Sequence, residues 1–313
     1  MREWKIIIHT VIQLPVGVDI NNLIDDLRIF SWEASDILLY YSQKLKNSDK
    51  KNNIITNKES TDPVTIADLE VNDLILKRMQ EKYQNTNWKY LSEENVKNNQ
   101  KQNLETNSEW LWILDPLDGT KDFIQGTGDY AMHFALNHKN RPIIGVVLIP
   151  EKDELWISNG KTVWCEKRTN AKQSLGLRVE KNISEMTVVT SRNHNNEILK
   201  SLIDKIKFKK INSMGSIGCK IASLIRGDSD IYISLSLAGK SSPKDWDFAA
   251  PEAILNVAGG RISNLDNQPL IYGQIGFEQR GLIVATNNRK SHKKVCLQIK
   301  KIIEKENISA LNL

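Results

Sequence analysis

Four short acidic stretches carry the residues best placed to do chemistry. They are Asp62-Pro63-Val64-Thr65-Ile66-Ala67-Asp68, Leu91-Ser92-Glu93-Glu94, Trp112-Ile113-Leu114-Asp115-Pro116-Leu117-Asp118-Gly119-Thr120 and Asp245-Trp246-Asp247-Phe248-Ala249-Ala250. The third is the most informative. Its apolar run, Leu111–Leu114, reads as a buried strand that ends directly in Asp115, Pro116, Asp118 and Gly119. Pro and Gly at such places force a tight turn. Asp115 and Asp118 then face one point, with the Leu117 carbonyl between them. These are hard oxygen donors, which suit magnesium. Carboxylates gathered this closely repel one another unless a cation lies among them.

Taken singly, each stretch has an ordinary structural role. Thr65 and Asp68 match a capping box at the start of an apolar helix. Asp247 precedes a helix and can serve as its N-cap. Glu93-Glu94 fits a solvated loop, and Asp115–Gly119 fits a plain turn. Four such coincidences in a fixed order are hard to credit, so the set is specific although each member is weak.

The elements that must position these acids are legible from periodicity. A first helix spans Asn22 to about Lys44, with Leu23, Leu27, Phe30, Ala34, Ile37, Leu38 and Tyr41 at helical spacing. A second runs from Thr65 to about Lys82. Strand-like runs follow at Trp110–Leu114, Tyr130–Asn137, Ile143–Ile149, Leu155–Ser158 and Val163–Cys165. They predict an antiparallel sheet with the two helices on it. Beyond a polar junction at Arg168 to Ser184 the pattern alternates. Strands are expected at Thr187–Thr190, Lys210–Ser213, Ile231–Ser234 and Leu282–Ala285. Helices are expected at Glu197–Ile206, Gly218–Arg226, Phe248–Val257 and Val295–Glu304. Such alternation argues for an α/β half. Two halves, 1–184 and 185–313, are therefore expected to form one compact unit.

Composition narrows the function classes. No apolar run approaches the ~18 residues of a membrane span, and no signal-peptide pattern opens the chain, so a cytoplasmic protein is expected. Cys165, Cys219 and Cys296 are far apart and form no CxxC, which argues against a disulfide framework or a zinc site. The net charge is +5, but the lysines form no stripe with interleaved aromatics. Nucleic acid and membrane are not expected as partners. A small, highly anionic substrate fits the basic balance.

In this order the four stretches resemble the inositol monophosphatase superfamily. Its marks are an Asp on the second helix, a Glu-Glu pair, a D-P-x-D-G-T segment and a W-D-x-A-A segment, and the resemblance runs from about Asp25 to Ala285. It implies a five-layer αβαβα sandwich, an α+β and α/β arrangement, and a phosphatase that uses two or three magnesium ions. By the same resemblance Glu93, Asp115, the Leu117 carbonyl, Asp118 and Asp247 are the metal ligands. Asp68 and Thr120 resemble the pair that orients and deprotonates the attacking water. Lithium inhibition is implied as well.

Finer features are similar to the 3'(2'),5'-bisphosphate nucleotidases of that superfamily. Ser191-Arg192-Asn193-His194 resembles their S-R-x-H segment, and Gly215-Ser216-Ile217-Gly218-Cys219-Lys220 resembles their glycine-rich loop. Ser191, His194, Ser216 and Lys220 are then the expected nucleotide contacts. The implied substrate is adenosine 3',5'-bisphosphate, a by-product of sulfate assimilation, handled by a monomer or homodimer. The alternatives are an inositol monophosphatase or a fructose-1,6-bisphosphatase-like sugar phosphatase. A regulatory metal-binding module is a further rival, against which the intact Asp68–Thr120 pair argues.

Overall fold

The computed structural model describes residues 14–47, 55, 64–97, 108–169, 175–176, 179–193, 196–237, 239–306 and 308. Helix α1 (Ile20–Asn47) and helix α2 (Ile66–Lys82) lead into strand β1 (Lys89–Ser92) and a single helical turn, α3 (Glu93–Lys97). Strand β2 (Trp110–Asp118), the short helix α4 (Thr120–Gln125) and strands β3 (Ala131–His138), β4 (Arg141–Ile149), β5 (Glu154–Ser158) and β6 (Val163–Glu166) follow. The remainder is β7 (Thr187–Ser191), α5 (Glu197–Ile206), β8 (Lys210–Met214), α6 (Ile217–Arg226), β9 (Ile231–Ser236), α7 (Asp245–Val257), β10 (Arg261–Asn264), β11 (Gly281–Thr286) and α8 (Arg289–Lys305).

The strands make two sheets. Six pair in the order β1-β2-β3-β4-β5-β6, and five in the order β10-β11-β9-β7-β8. The first sheet is antiparallel except that β1 runs parallel to β2, which corrects the fully antiparallel expectation. That exception matters for the site, because both strands then deliver their C-terminal ends to one place.

Three apolar clusters define the layers. One joins α1 and α2 to a face of the first sheet, through Leu23, Leu38, Val71, Trp112, Phe134 and Leu148. A second lies between the sheets and is filled by α6 and α7, with Ile221, Leu224, Phe248 and Ile254 between Val147 and Ile283. The third seats α5 and α8 on the far face of the second sheet, through Leu202, Ile233, Val284 and Ile299. The sequence of layers is thus αβαβα, as expected. Both faces of each sheet are covered, so the central strands read as near-continuous apolar runs. On β4, Val146 and Leu148 turn to α1 and α2 while Val147 and Ile149 turn to the inner helices, as a period of two requires.

Several boundaries differ from the expected ones for local reasons. Helix α7 starts at Asp245 instead of Phe248, because Lys244 is its N-cap and Asp247 is the third residue of a capping box. Helix α8 starts at Arg289 because the Asn288 side chain accepts from Lys290 N–H at 3.0 Å. Among the described residues no helix is long and apolar enough to cross a membrane.

Candidate active site

The centre is built on an irregularity at the end of β2. Asp115 pairs with His133 of β3, and Asp118 pairs with Ala131. Two residues of β2 therefore lie between the pairs where β3 has one. In a regular strand, residues three apart point to opposite faces; one extra residue restores the phase. Asp115 and Asp118 consequently share the face that α6 and α7 cover. Gly119 closes the turn at φ +87°, a conformation that favours glycine. Leu117 N–H donates to Asp115 Oδ1 at 3.0 Å, which fixes that carboxylate.

Glu93 arrives from the neighbouring strand. Ser92 is in register with Leu114 in the parallel β1–β2 pair, so the next residues along are Glu93 and Asp115. Asp247 comes from the first turn of α7, where its side chain accepts from the Lys244 N–H. Asp115, Asp118 and Asp247 each present an oxygen within 4.8 Å of the others. Burial pushes the Asp115 carboxyl well above its ordinary range, and the negative charges of Glu93, Asp118 and Asp247 push it the same way. A cation among these oxygens would relieve that repulsion, and the all-oxygen donor set fits a hard divalent ion.

Asp68 divides its two oxygens between two tasks. Oδ2 accepts from the Thr65 N–H at 2.8 Å and the Thr65 hydroxyl at 2.6 Å, which is the capping box. Oδ1 faces the Thr120 hydroxyl at 3.5 Å, and that hydroxyl is also 3.1 Å from the Leu117 carbonyl. Asp68 is fully buried, and burial raises its carboxyl to about 8; the Thr65 hydrogen bonds pull it down, while Glu94 and Glu93 add to the rise. The structure thus brings Asp68, Thr120, the Leu117 carbonyl, Glu93, Asp115, Asp118 and Asp247 into one neighbourhood.

The glycine-rich loop meets this neighbourhood from the second sheet. Ser216 caps α6 and donates its hydroxyl to Asp118 Oδ2 at 2.6 Å. Ile217 N–H and Gly218 N–H point at the same oxygen, at 2.5 and 3.4 Å. The N-terminus of α6 therefore holds an acid of the protein itself, an arrangement its dipole favours. Lys220 lies beneath the turn, fully buried, with Nζ on the Gly215 carbonyl and 5.4 Å from the centre of the Tyr232 ring. Lys220, expected to contact the nucleotide, thus reaches the turn from its buried side. Ser191 ends β7. His194 lies outside the described residues.

Two groups were not singled out by the sequence. Arg192 pairs with both Asp122 and Asp129, tying the end of β7 to α4 and to the segment after it. His133 lies between Asp118 and Trp246, with Nε2 3.4 Å from Asp118 Oδ2 and Nδ1 3.3 Å from the Trp246 carbonyl oxygen. The only signal for it was its place on an apolar strand, which does not distinguish a site histidine from a core one.

Comparison with known proteins agrees with this geometry. The inositol monophosphatase family model matches residues 27–304. A 3'(2'),5'-bisphosphate nucleotidase CysQ of Buchnera aphidicola is 31% identical over 231 residues, covering 73% of this chain and 81% of that one. The protein of the same name from Escherichia coli K12 is 25% identical over 256 residues, covering 80% and 94%. Among solved structures, the extragenic suppressor protein suhB of Bartonella henselae superposes with a TM-score of 0.69 at 18% identity, over 91% of this chain and 99% of that one. The last likeness shows the fold. With the family model covering most of the chain and the acidic centre in place, this protein belongs to the inositol monophosphatase family and is a phosphatase.

Proposed function

We propose that the protein is a magnesium-dependent 3'(2'),5'-bisphosphate nucleotidase that removes the 3'-phosphate of adenosine 3',5'-bisphosphate. The observation that carries the catalytic part is the convergence of Asp115, Asp118 and Asp247 within 4.8 Å beside the facing pair Asp68 and Thr120. Support for the nucleotide comes from the named relatives and from the Ser191–Arg192 and Gly215–Lys220 segments. A link to sulfate assimilation belongs to the same reading.

Glu93, Asp115, Asp118, Asp247 and the Leu117 carbonyl would hold the metal. Bound there, magnesium supplies positive charge to the phosphoryl oxygens and acidifies nearby water. Thr120 Oγ1 and Asp68 Oδ1 face each other across a gap that suits hydrogen bonding to an attacking water. Asp68 takes the proton of that water. Its carboxylate is a stronger base than an ordinary aspartate, since burial disfavours its charged form, and a base with a pKa near the working pH serves best. Ser216, Ile217 N–H and Gly218 N–H hold one oxygen of Asp118 and so aim its carboxylate, leaving the other oxygen for the centre. Lys220 supports the turn from beneath, through the Gly215 carbonyl, and so holds the loop toward which the phosphate of a nucleotide would approach.

The test is phosphate release with magnesium on adenosine 3',5'-bisphosphate, its sulfated analogue, inositol 1-phosphate and fructose 1,6-bisphosphate, compared by kcat/KM. A large preference for the bisphosphorylated nucleotide is expected. Preference for inositol 1-phosphate or the sugar would retain the acidic centre and overturn the nucleotide assignment.

A further inference from the structure

Asp118 and Asp247 reach the acidic centre from different elements, the end of β2 and the first turn of α7. They carry like charges, so nothing in their own chemistry keeps them together. One buried side chain spans the gap between those elements. His133 sits on β3 directly opposite Asp115. Its ring is fully buried, with Nδ1 3.3 Å from the Trp246 carbonyl oxygen and Nε2 3.4 Å from Asp118 Oδ2. Trp246 is the residue immediately before Asp247. A carbonyl only accepts, so Nδ1 carries the proton of that contact.

The surroundings leave space for this ring and little else. Gly218, at the start of α6, has no side chain; a Cβ there would come within 2.3 Å of His133 Nε2 and 2.8 Å of Val147 Cγ1. The same glycine turns its N–H toward Asp118 Oδ2 at 3.4 Å. The imidazole is thus wedged among β2, α6 and α7, the three elements that carry or hold Asp118 and Asp247.

We propose that His133 is a positioning residue of the cation site, a rigid spacer that sets the separation of Asp118 and Asp247. It touches no substrate and holds no metal. It acts by contact, on Asp118 directly and on Asp247 through the Trp246 backbone, from the place that partners behind metal ligands occupy. An imidazole suits the task because its ring is planar and has only two rotatable bonds, so little freedom is lost when it is fixed. The inference rests on the acidic centre being a metal site.

The experiment is titration of metal-free protein with Mn2+, read by electron paramagnetic resonance, with circular dichroism and thermal melting of the metal-free protein alongside. Wild type that takes up no Mn2+ removes the metal-site reading itself, whatever the variants do. With binding in wild type, His133→Asn and His133→Phe should each raise the half-saturating Mn2+ concentration about tenfold or more, the usual effect of losing an outer-shell partner. Gly218→Ala keeps the imidazole but displaces it, and should weaken Mn2+ binding in the same direction. A histidine that only fills the core would lower the melting temperature and leave half-saturation of the folded protein within twofold; that result overturns the proposal. If the phenyl ring prevents folding, the smaller His133→Asn decides the matter.

Discussion

Asp68 shows how one residue satisfies two descriptions. As a cap it offers Oδ2 to Thr65, and as the proposed base it offers Oδ1 to Thr120. Asp68→Asn separates them. The amide oxygen still accepts at the cap, so the metal-free melting temperature should change little, as befits a contact worth about 1 kcal/mol. A proton acceptor is lost, so kcat should fall at least a hundredfold, in line with the size of general-base effects, while KM changes little. A change confined to KM would make Asp68 a cap only. Asp118→Asn in the same assay should instead demand more magnesium. The acids themselves were legible because their types and order are distinctive. The partners that tune them were not. Ser216 and His133 are joined to Asp118 by contacts between residues 98 and 15 positions apart, and no spacing encodes those.

Among the elements, long periodic ones were legible, and short ones only where strand-like residues marked them, as at β5 to β8. Helix α5 is found at Glu197–Ile206, the expected span, because Asn196 caps it with its side chain on Ile198 and Leu199 N–H. Strand β1, α3, α4 and β10, of four to six residues each, carry too few positions for a period to emerge. Yet β1 and α3 deliver Glu93. The bulge in β2 was foreseen as a turn, whereas it is a phase change within a strand. A testable case at this scale is the seam of α8 with β10 and β11. His292 on α8 meets Ser263 Oγ at 2.7 Å and Thr286 Oγ1 at 2.9 Å, and it is fully buried. Burial lowers its pKa from 6.5 to about 4, with Arg261 and Arg289 acting the same way. The folded state thus resists protonation that the unfolded state accepts. This contribution is complete above pH 6.5 and is lost as pH falls toward 4. The loss amounts to about 2 kcal/mol at pH 5. Urea unfolding of wild type and His292→Gln at pH 7.5 and 5.0 should show the gap between them shrinking by about that amount on acidification. A gap independent of pH would mean that the imidazole is not buried neutral.

For the whole molecule, chain order and spatial order diverge. The sequence suggested a seam near residue 184, and the two sheets do divide there, at β6 and β7. But α6 and α7, which follow the seam, pack against β3 and β4 of the first sheet as well as against the second. Trp246, Phe248 and Ile254 share one apolar cluster with Ile113, Val147 and Trp156. Residues 1–184 alone would leave that face of the first sheet uncovered, a large apolar surface that drives association instead of folding. The acidic centre has the same construction, with Glu93, Asp115 and Asp118 from one half and Asp247 and Ser216 from the other. The molecule should therefore unfold as one unit, which its own probes can report. Seven of its eight tryptophans precede residue 185 and sense the first half. Cys296 lies buried in the outer cluster of the second half, its thiol raised to about 11 by burial, so it stays unreactive until that half opens. Tryptophan emission and Cys296 labelling, followed across a urea series, should give coincident midpoints, the mark of a two-state transition. Labelling of Cys296 at clearly lower urea would show α5, α8 and the second sheet opening by themselves. The halves would then be separate domains, and the acidic centre would lie at a hinge instead of within a single rigid core.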